Sequence, residues 1–152
     1  MHYLWCQDKR LSQKHAWCLT TLQKQLKVLN VYPDMITMIC KILTMGFRDS
    51  WIDALPADNS LDALLMTMVK SQQELGDNSM PKGYIVRTWR QVQYEWLASL
   101  FLDTSTTDNI MKQAIVTLHT YTYTVWKLRN EILHKDKNKS KTALKRFACK
   151  RE

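Results

Sequence analysis

The chain has 152 residues, 45% of them apolar and 24% charged, enough for one domain that buries its own core without disulfide or metal staples. With three Gly and three Pro it is no collagen, low-complexity chain or loop-rich sandwich; no apolar run nears the ~18 residues of a membrane span, and the N-terminus lacks the apolar centre of a signal peptide. The net charge of +8 is unevenly placed: residues 1–134 carry 14 Lys/Arg against 12 Asp/Glu, and residues 135–152 carry 8 against 2.

Five segments have helical period. Leu11, His15, Leu19, Leu22, Leu26 and Leu29 recur at steps of three and four, which puts them on one helix face. Tyr32-Pro33-Asp34 breaks the chain and restarts it, with Pro33 suited to a first turn. A second helix from Asp34 to about Met45 places Met35, Ile36, Met38, Ile39, Ile42 and Leu43 inside and stops at Gly46. A connector holding Trp51 and Pro56 follows. Asn59 or Ser60 can cap a third helix, with Leu61, Leu64, Leu65 and Met68 on its stripe and Gly76 as its stop.

The stretch Gly76 to Gly83 (GDNSMPKG) reads as a loop and as the one internal boundary the sequence offers. Beyond it, Ile85, Trp89, Val92, Trp96 and Leu100 outline a fourth helix. Residues 103–108 (DTSTTD) form a turn rich in capping side chains. The fifth helix carries Ile110, Ala114, Leu118, Tyr121, Val125, Leu128 and Ile132. Within it, Thr120 to Val125 (TYTYTV) alternates like a strand but keeps the helical period. The expectation is an all-α, compact bundle of about five helices over residues 1–134, with a disordered basic tail over 135–152. Its six tryptophans and eight methionines are expected mainly in the core, any exposed tryptophan being free to stack on bases.

Cys6, Cys18, Cys40 and Cys149 have no CxxC spacing and read as reduced thiols of an intracellular protein, cytoplasmic or nuclear. Cys6, His15 and Cys18 offer zinc too few converging ligands, so no metal or cofactor is expected. Phosphate-loop, dinucleotide, HExxH and GxSxG motifs are absent from the sequence. Asp49, Asp53, Asp58 and Asp62 read as caps or solvent-facing acids rather than a two-metal site.

One region remains for chemistry, residues 126–134 (WKLRNEILH). With Val125 at zero and 100° per residue, Tyr121, Leu128 and Ile132 cluster on the core side and Arg129 sits near about 40°, at the edge of that stripe. Asn130 and His134, one turn apart, fall near about 140° and 180°, on the side of His119, Tyr123 and Trp126. The last helix therefore has a second, mixed polar and aromatic face. As plain structure, Arg129 would pair with Glu95 or Asp103, Trp126 would pack inside, and His134 would favour the helix C-terminus.

The segment Arg129 to His134 (RNEILH) resembles the Arg-polar-x-x-x-His motif of the HEPN superfamily of small α-helical bundles. That resemblance implies a metal-independent ribonuclease in which the motif helices of two protomers meet. Arg129 would clamp the phosphate, His134 would be the acid/base, and Asn130 would orient it; an imidazole moves protons near neutral pH and a guanidinium stabilises phosphorane charge. Gln91, Trp96, Leu100 and Phe101, followed by Trp126, Arg129, Asn130, Leu133 and His134, resemble the helical region downstream of the reverse transcriptase in non-LTR retroelement reading frames. Those frames often continue with Gly after the His, where this chain has Lys135.

These readings converge on a nucleic-acid-binding domain, RNA preferred over DNA, of retroelement type. Lys135, Lys137, Lys139, Lys141, Lys145, Arg146, Lys150 and Arg151 would contact phosphates by counterion release. Arg129, Asn130 and His134 form the candidate catalytic set, and a homodimer through the last helix is expected. The alternatives are a HEPN-like metal-independent ribonuclease and a non-catalytic protein-interaction module, the latter marked by a wide apolar patch without a cleft.

Overall fold

The computed structural model describes the backbone of residues 9–46, 52–53, 55, 60–76 and 79–148, and side chains between residues 10 and 135. Among the described residues, five α-helices are delimited and no strand occurs: α1 (Lys9–Val28), α2 (Pro33–Met45), α3 (Ser60–Glu74), α4 (Thr88–Ser99) and α5 (Thr107–Ala148). Short 3-10 turns at Met80–Lys82 and Thr104–Thr106 precede α4 and α5. The expected all-α bundle is what forms. The expectation of a disordered tail falls on residues whose side chains lie outside the description; the backbone there continues α5 to Ala148.

Helix α1 lies against α5 and α2, α3 packs on α4, and α4 and the Met80–Lys82 turn pack on α5. One cluster joins them, including Leu22 and Leu26 of α1, Met35, Ile39 and Leu43 of α2, Met68 of α3, Trp89 and Leu97 of α4, and Leu118 of α5. Burial of each such side chain contributes about 1.5–3 kcal/mol. Helix α2 buries Met35, Ile36, Met38, Ile39, Cys40, Ile42 and Leu43, a wide arc that makes it the most enclosed element. Met80, inside the loop read from Gly76 to Gly83, is fully buried as well, so this loop packs on the core.

Two buried glutamines hold the connections. Gln93 of α4 accepts from the Tyr32 N–H at 2.9 Å and donates to the Asn30 carbonyl at 3.0 Å. Gln72 of α3 donates to Ser79 Oγ and the Tyr84 carbonyl, both at 2.8 Å, and accepts from the Val86 N–H at 3.1 Å. Each amide satisfies backbone groups of a turn that would otherwise lie unpaired in the interior.

The α1 and α4 ends share one geometry. After α1, the Val31 N–H reaches back to the Leu26 carbonyl and Asn30 takes φ +60°. After α4, the Leu102 N–H reaches the Leu97 carbonyl and Phe101 takes φ +56°. These are Schellman caps, whose left-handed position favours Gly and then Asn. A phenylalanine there is strained, and Phe101 is 98% exposed. Leu100, expected on the core stripe of α4, is instead the cap residue and half exposed, because the helix stops at Ser99.

Two stability changes follow, both read by urea denaturation. Gln93→Leu leaves the Tyr32 N–H and the Asn30 carbonyl without a partner and lowers stability by about 2 kcal/mol. Phe101→Gly relieves the left-handed strain and raises stability by about 1 kcal/mol.

Candidate nucleic-acid interface

Helix α5 starts from a capped turn. Asp103 accepts from the Ser105 N–H at 2.9 Å, and hydrogen bonding from the Ser105 side chain, with this backbone bond second, holds its carboxyl below the usual range. The Thr107 hydroxyl donates to the Thr104 carbonyl at 2.7 Å, and Asp108 pairs with Arg90 of α4 at 2.5 Å. The strand-like stretch from Thr120 to Val125 stays helical because Thr120, Thr122 and Thr124 turn their hydroxyls back to the carbonyls of Val116, Leu118 and Thr120. That local bond satisfies a polar side chain without leaving the helix.

Ile110, Met111, Ala114, Leu118, Tyr121 and Val125 form the buried stripe of α5. Past Val125 the packing thins: Leu128 and Ile132 are only partly buried. On the α1 side, His15 and the Tyr121 hydroxyl share a hydrogen bond, their ring centroids 5.9 Å apart. Burial of His15 lowers its pKa, and burial raises that of the Cys18 thiol. Cys6 lies outside the described residues, and among the described residues no three metal-ligating side chains converge.

The opposite side of α5 is left to solvent. Tyr123 and Trp126 are 61% and 47% exposed and stack with centroids 5.9 Å apart and planes 28° apart. His119 lies over Gly83: at φ +80° a Cβ added there would fall on the imidazole ring. Beyond the aromatic pair is a shallow, wide-open groove on the helix surface, lined by Trp126, Lys127, Asn130, Glu131, His134 and Lys135. Every one of these belongs to α5, so no other described element closes the groove.

Asn130 and His134 therefore share the groove, without a hydrogen bond to each other. Arg129 is half-buried and does not line it. With the 100° step, Arg129 and His134 point about 140° apart, so a single chain does not converge the two on one phosphate. Arg129 has no acidic partner among the described residues; Asp103 is engaged at Ser105 and Glu95 is exposed. Lys135 is exposed at the groove; the side chains of Lys137, Lys139, Lys141, Lys145, Arg146, Lys150 and Arg151 lie outside the described residues.

The tryptophans divide. Trp89 is in the core and Trp96 partly so, its ring 5.5 Å from that of Tyr32. Trp17 and Trp126 are exposed, against the expectation of a mainly internal set, since each falls on the outer side of its helix; Trp5 and Trp51 lie outside the described residues. No helix among the described residues is long and apolar enough to cross a membrane. No family model, no curated protein and no solved structure matches the chain.

A pH dependence follows from the His15–Tyr121 contact. With its pKa lowered by burial, the imidazole binds its proton at a lower pH in the folded chain than in the unfolded one. Its contribution is complete above the unfolded value of about 6.5 and is lost as pH falls through that value toward the lower folded one. Urea midpoints at pH 7 and pH 5 check this: His15→Gln should lose less stability across that interval than the wild type, and an equal loss would assign the effect elsewhere.

Proposed function

We propose that this chain binds single-stranded nucleic acid, RNA in preference to DNA, along the outer face of α5 and the basic segment in which the chain ends. The observation that carries the reading is the stacked, solvent-exposed Tyr123–Trp126 pair leading into a groove with Lys127, Asn130, His134 and Lys135. Exposed aromatic rings beside cations suit unpaired bases on a phosphate backbone, and each stacked base is worth about 1–3 kcal/mol. RNA is preferred because its sequence-specific recognition targets such unstacked bases. The eight Lys/Arg among residues 135–152 would add sequence-independent phosphate affinity. This activity belongs inside the cell, in cytoplasm or nucleus, and descent from a retroelement frame remains our reading of W-x-x-R-N-x-x-L-H.

The test is fluorescence anisotropy of a labelled single-stranded RNA of about 20 nucleotides, long enough to cover the face and the basic segment. Affinity should fall steeply with salt, with a slope reduced by about 0.7 for each phosphate-contacting Lys or Arg replaced by Ala. Trp126→Ala should weaken binding by about 5- to 100-fold at fixed salt, matching the loss of one stacking platform. An RNA affinity indifferent to Trp126 removes α5 from the interface. No retention of RNA at low salt returns that face to a protein-docking role.

A second reading has its own observation: His134 is exposed beside Asn130 on a face that no other described element covers. A metal-independent ribonuclease of HEPN type would complete the site in a homodimer across α5, with Arg129 and His134 of the two copies facing one phosphodiester. It predicts cleavage of single-stranded RNA in excess EDTA by the wild type and none by His134→Ala. Equal cleavage by both denies His134 the role.

A further inference from the structure

One exposed tryptophan is not accounted for by the α5 face. Trp17 of α1 is 66% exposed, although an indole is among the side chains that gain most from burial. Helix α1 commits its apolar stripe, including Leu11, Cys18, Leu22 and Leu26, to the core. Trp17 stands apart from that stripe, and among the described residues no other large apolar side chain is exposed within two turns of it. Thr20 and Thr21, one turn on, return their hydroxyls to the carbonyls of Ala16 and Trp17 at 3.0 and 3.1 Å. The surface beside the ring is therefore low, and its hydroxyls are already bonded.

The charge on this helix has one sign. Its sequence includes Lys9, Arg10, Lys14, Lys24 and Lys27 and no Asp or Glu. With Lys14 at zero and 100° per residue, Trp17, Thr21 and Lys24 fall near about −60°, −20° and −80°. The two lysines thus bracket the indole on one arc, about 15 Å apart along the axis. Both are exposed, and neither has an acidic partner among the described residues. Helices α2 and α5, against which α1 packs, bring no excess of acid. Helix α2 has Asp34 and Lys41, and the described side chains of α5 include Lys112, Lys127, Arg129 and Lys135 against Asp108 and Glu131. The Tyr32 hydroxyl donates to Asp34 at 2.7 Å, and Arg90 pairs with Asp108.

Such a stripe attracts a polyanion. An anionic bilayer takes up a helix whose apolar face enters the headgroup region; here that face is committed to the core, and a single ring is left outside. A single-stranded nucleic acid needs a ring for a base and cations for the phosphates on either side, which is what Lys14, Trp17 and Lys24 offer. We infer that α1 carries a second stacking site for single-stranded nucleic acid, with Trp17 under one base and Lys14 and Lys24 at the flanking phosphates. The inference takes its class of ligand from the proposed function but none of its residues, so each face stands or falls by itself. His15, two residues before Trp17, shares a hydrogen bond with Tyr121, which ties α1 to the helix that bears the Tyr123–Trp126 pair. Two platforms on helices joined in this way let one long strand engage both, with an affinity above that of either alone.

The experiment reads the rings themselves, because α1 is well packed around Trp17 and a ligand held by its side chains restrains no loose backbone there. The full chain is labelled with fluorotryptophan, and the fluorine resonances of Trp17 and Trp126 are assigned with Trp17→Phe and Trp126→Phe. On titration at low salt with a single-stranded RNA of about 20 nucleotides, both resonances should move. Trp17→Ala should weaken binding of this RNA by about 5- to 100-fold, the loss of one stacking platform, with the urea midpoint unchanged because the ring is exposed. Lys14→Ser/Lys24→Ser should reduce the salt slope by about 0.7 for each lysine. A Trp126 resonance that moves while Trp17 does not overturns the inference and leaves the α5 face standing. The reverse pattern supports α1 and removes α5. If neither moves, both fall. A Trp17 resonance moved by phosphatidylserine vesicles and not by RNA makes α1 a membrane contact and overturns the inference.

Discussion

The stripe of α5 that runs from Ile110 to Val125 is the surface on which the other parts assemble. Helices α1 and α4 and the Met80–Lys82 turn all pack on this one helix. A helix buried on a single stripe must expose its other side, and in most small bundles that side is charged. Here it carries Val116, Tyr123, Trp126 and Leu133 instead, each more than two-fifths exposed. The functional proposal rests on that imbalance: the aromatic face is presented on the most firmly anchored helix, and nothing else in the described chain occupies it.

Anchoring weakens along the same helix in the direction of the site. Tyr121 is tied to His15 and Val125 is buried, whereas Leu128 and Ile132 are covered only in part and His134 is exposed. Local stability follows the density of buried apolar contacts, so the groove sits where the helix passes from core support to solvent. The aromatic pair is fixed by the supported part and the polar groups by the unsupported part. A ligand that spans both binds a rigid platform at one end and orders side chains at the other.

Much of this was legible in the sequence because the core is built at helical period. Met35, Ile36, Met38, Ile39, Ile42 and Leu43 are all inside as read, and the 100° step separated Arg129 from Asn130 and His134 as the groove does. Three things were hidden for physical reasons. Nothing in the helical period marks Gln72 and Gln93 as interior, yet they are buried because turn backbone needs partners there. Met80 reads as loop, yet a tight 3-10 turn drives it into the core. Leu100 continues the apolar period of α4, yet the Schellman cap ends the helix before it. In each case tertiary hydrogen bonding or capping overrode a pattern that periodicity alone cannot weigh. The site's residues could be placed on a face, but whether another element covers that face is a tertiary property.

The central claim is that ligand meets this chain on the outer side of α5, opposite its packing stripe. Hydrogen–deuterium exchange of the full chain with and without a saturating single-stranded RNA tests it most directly. The account predicts slower exchange confined to α5 from about residue 123 onward, with α2 and α3 unchanged, because bound RNA restrains the thinly packed turns around Trp126 and His134. Protection centred on α2 or α3, with residues 123–135 exchanging as in the free chain, would contradict it.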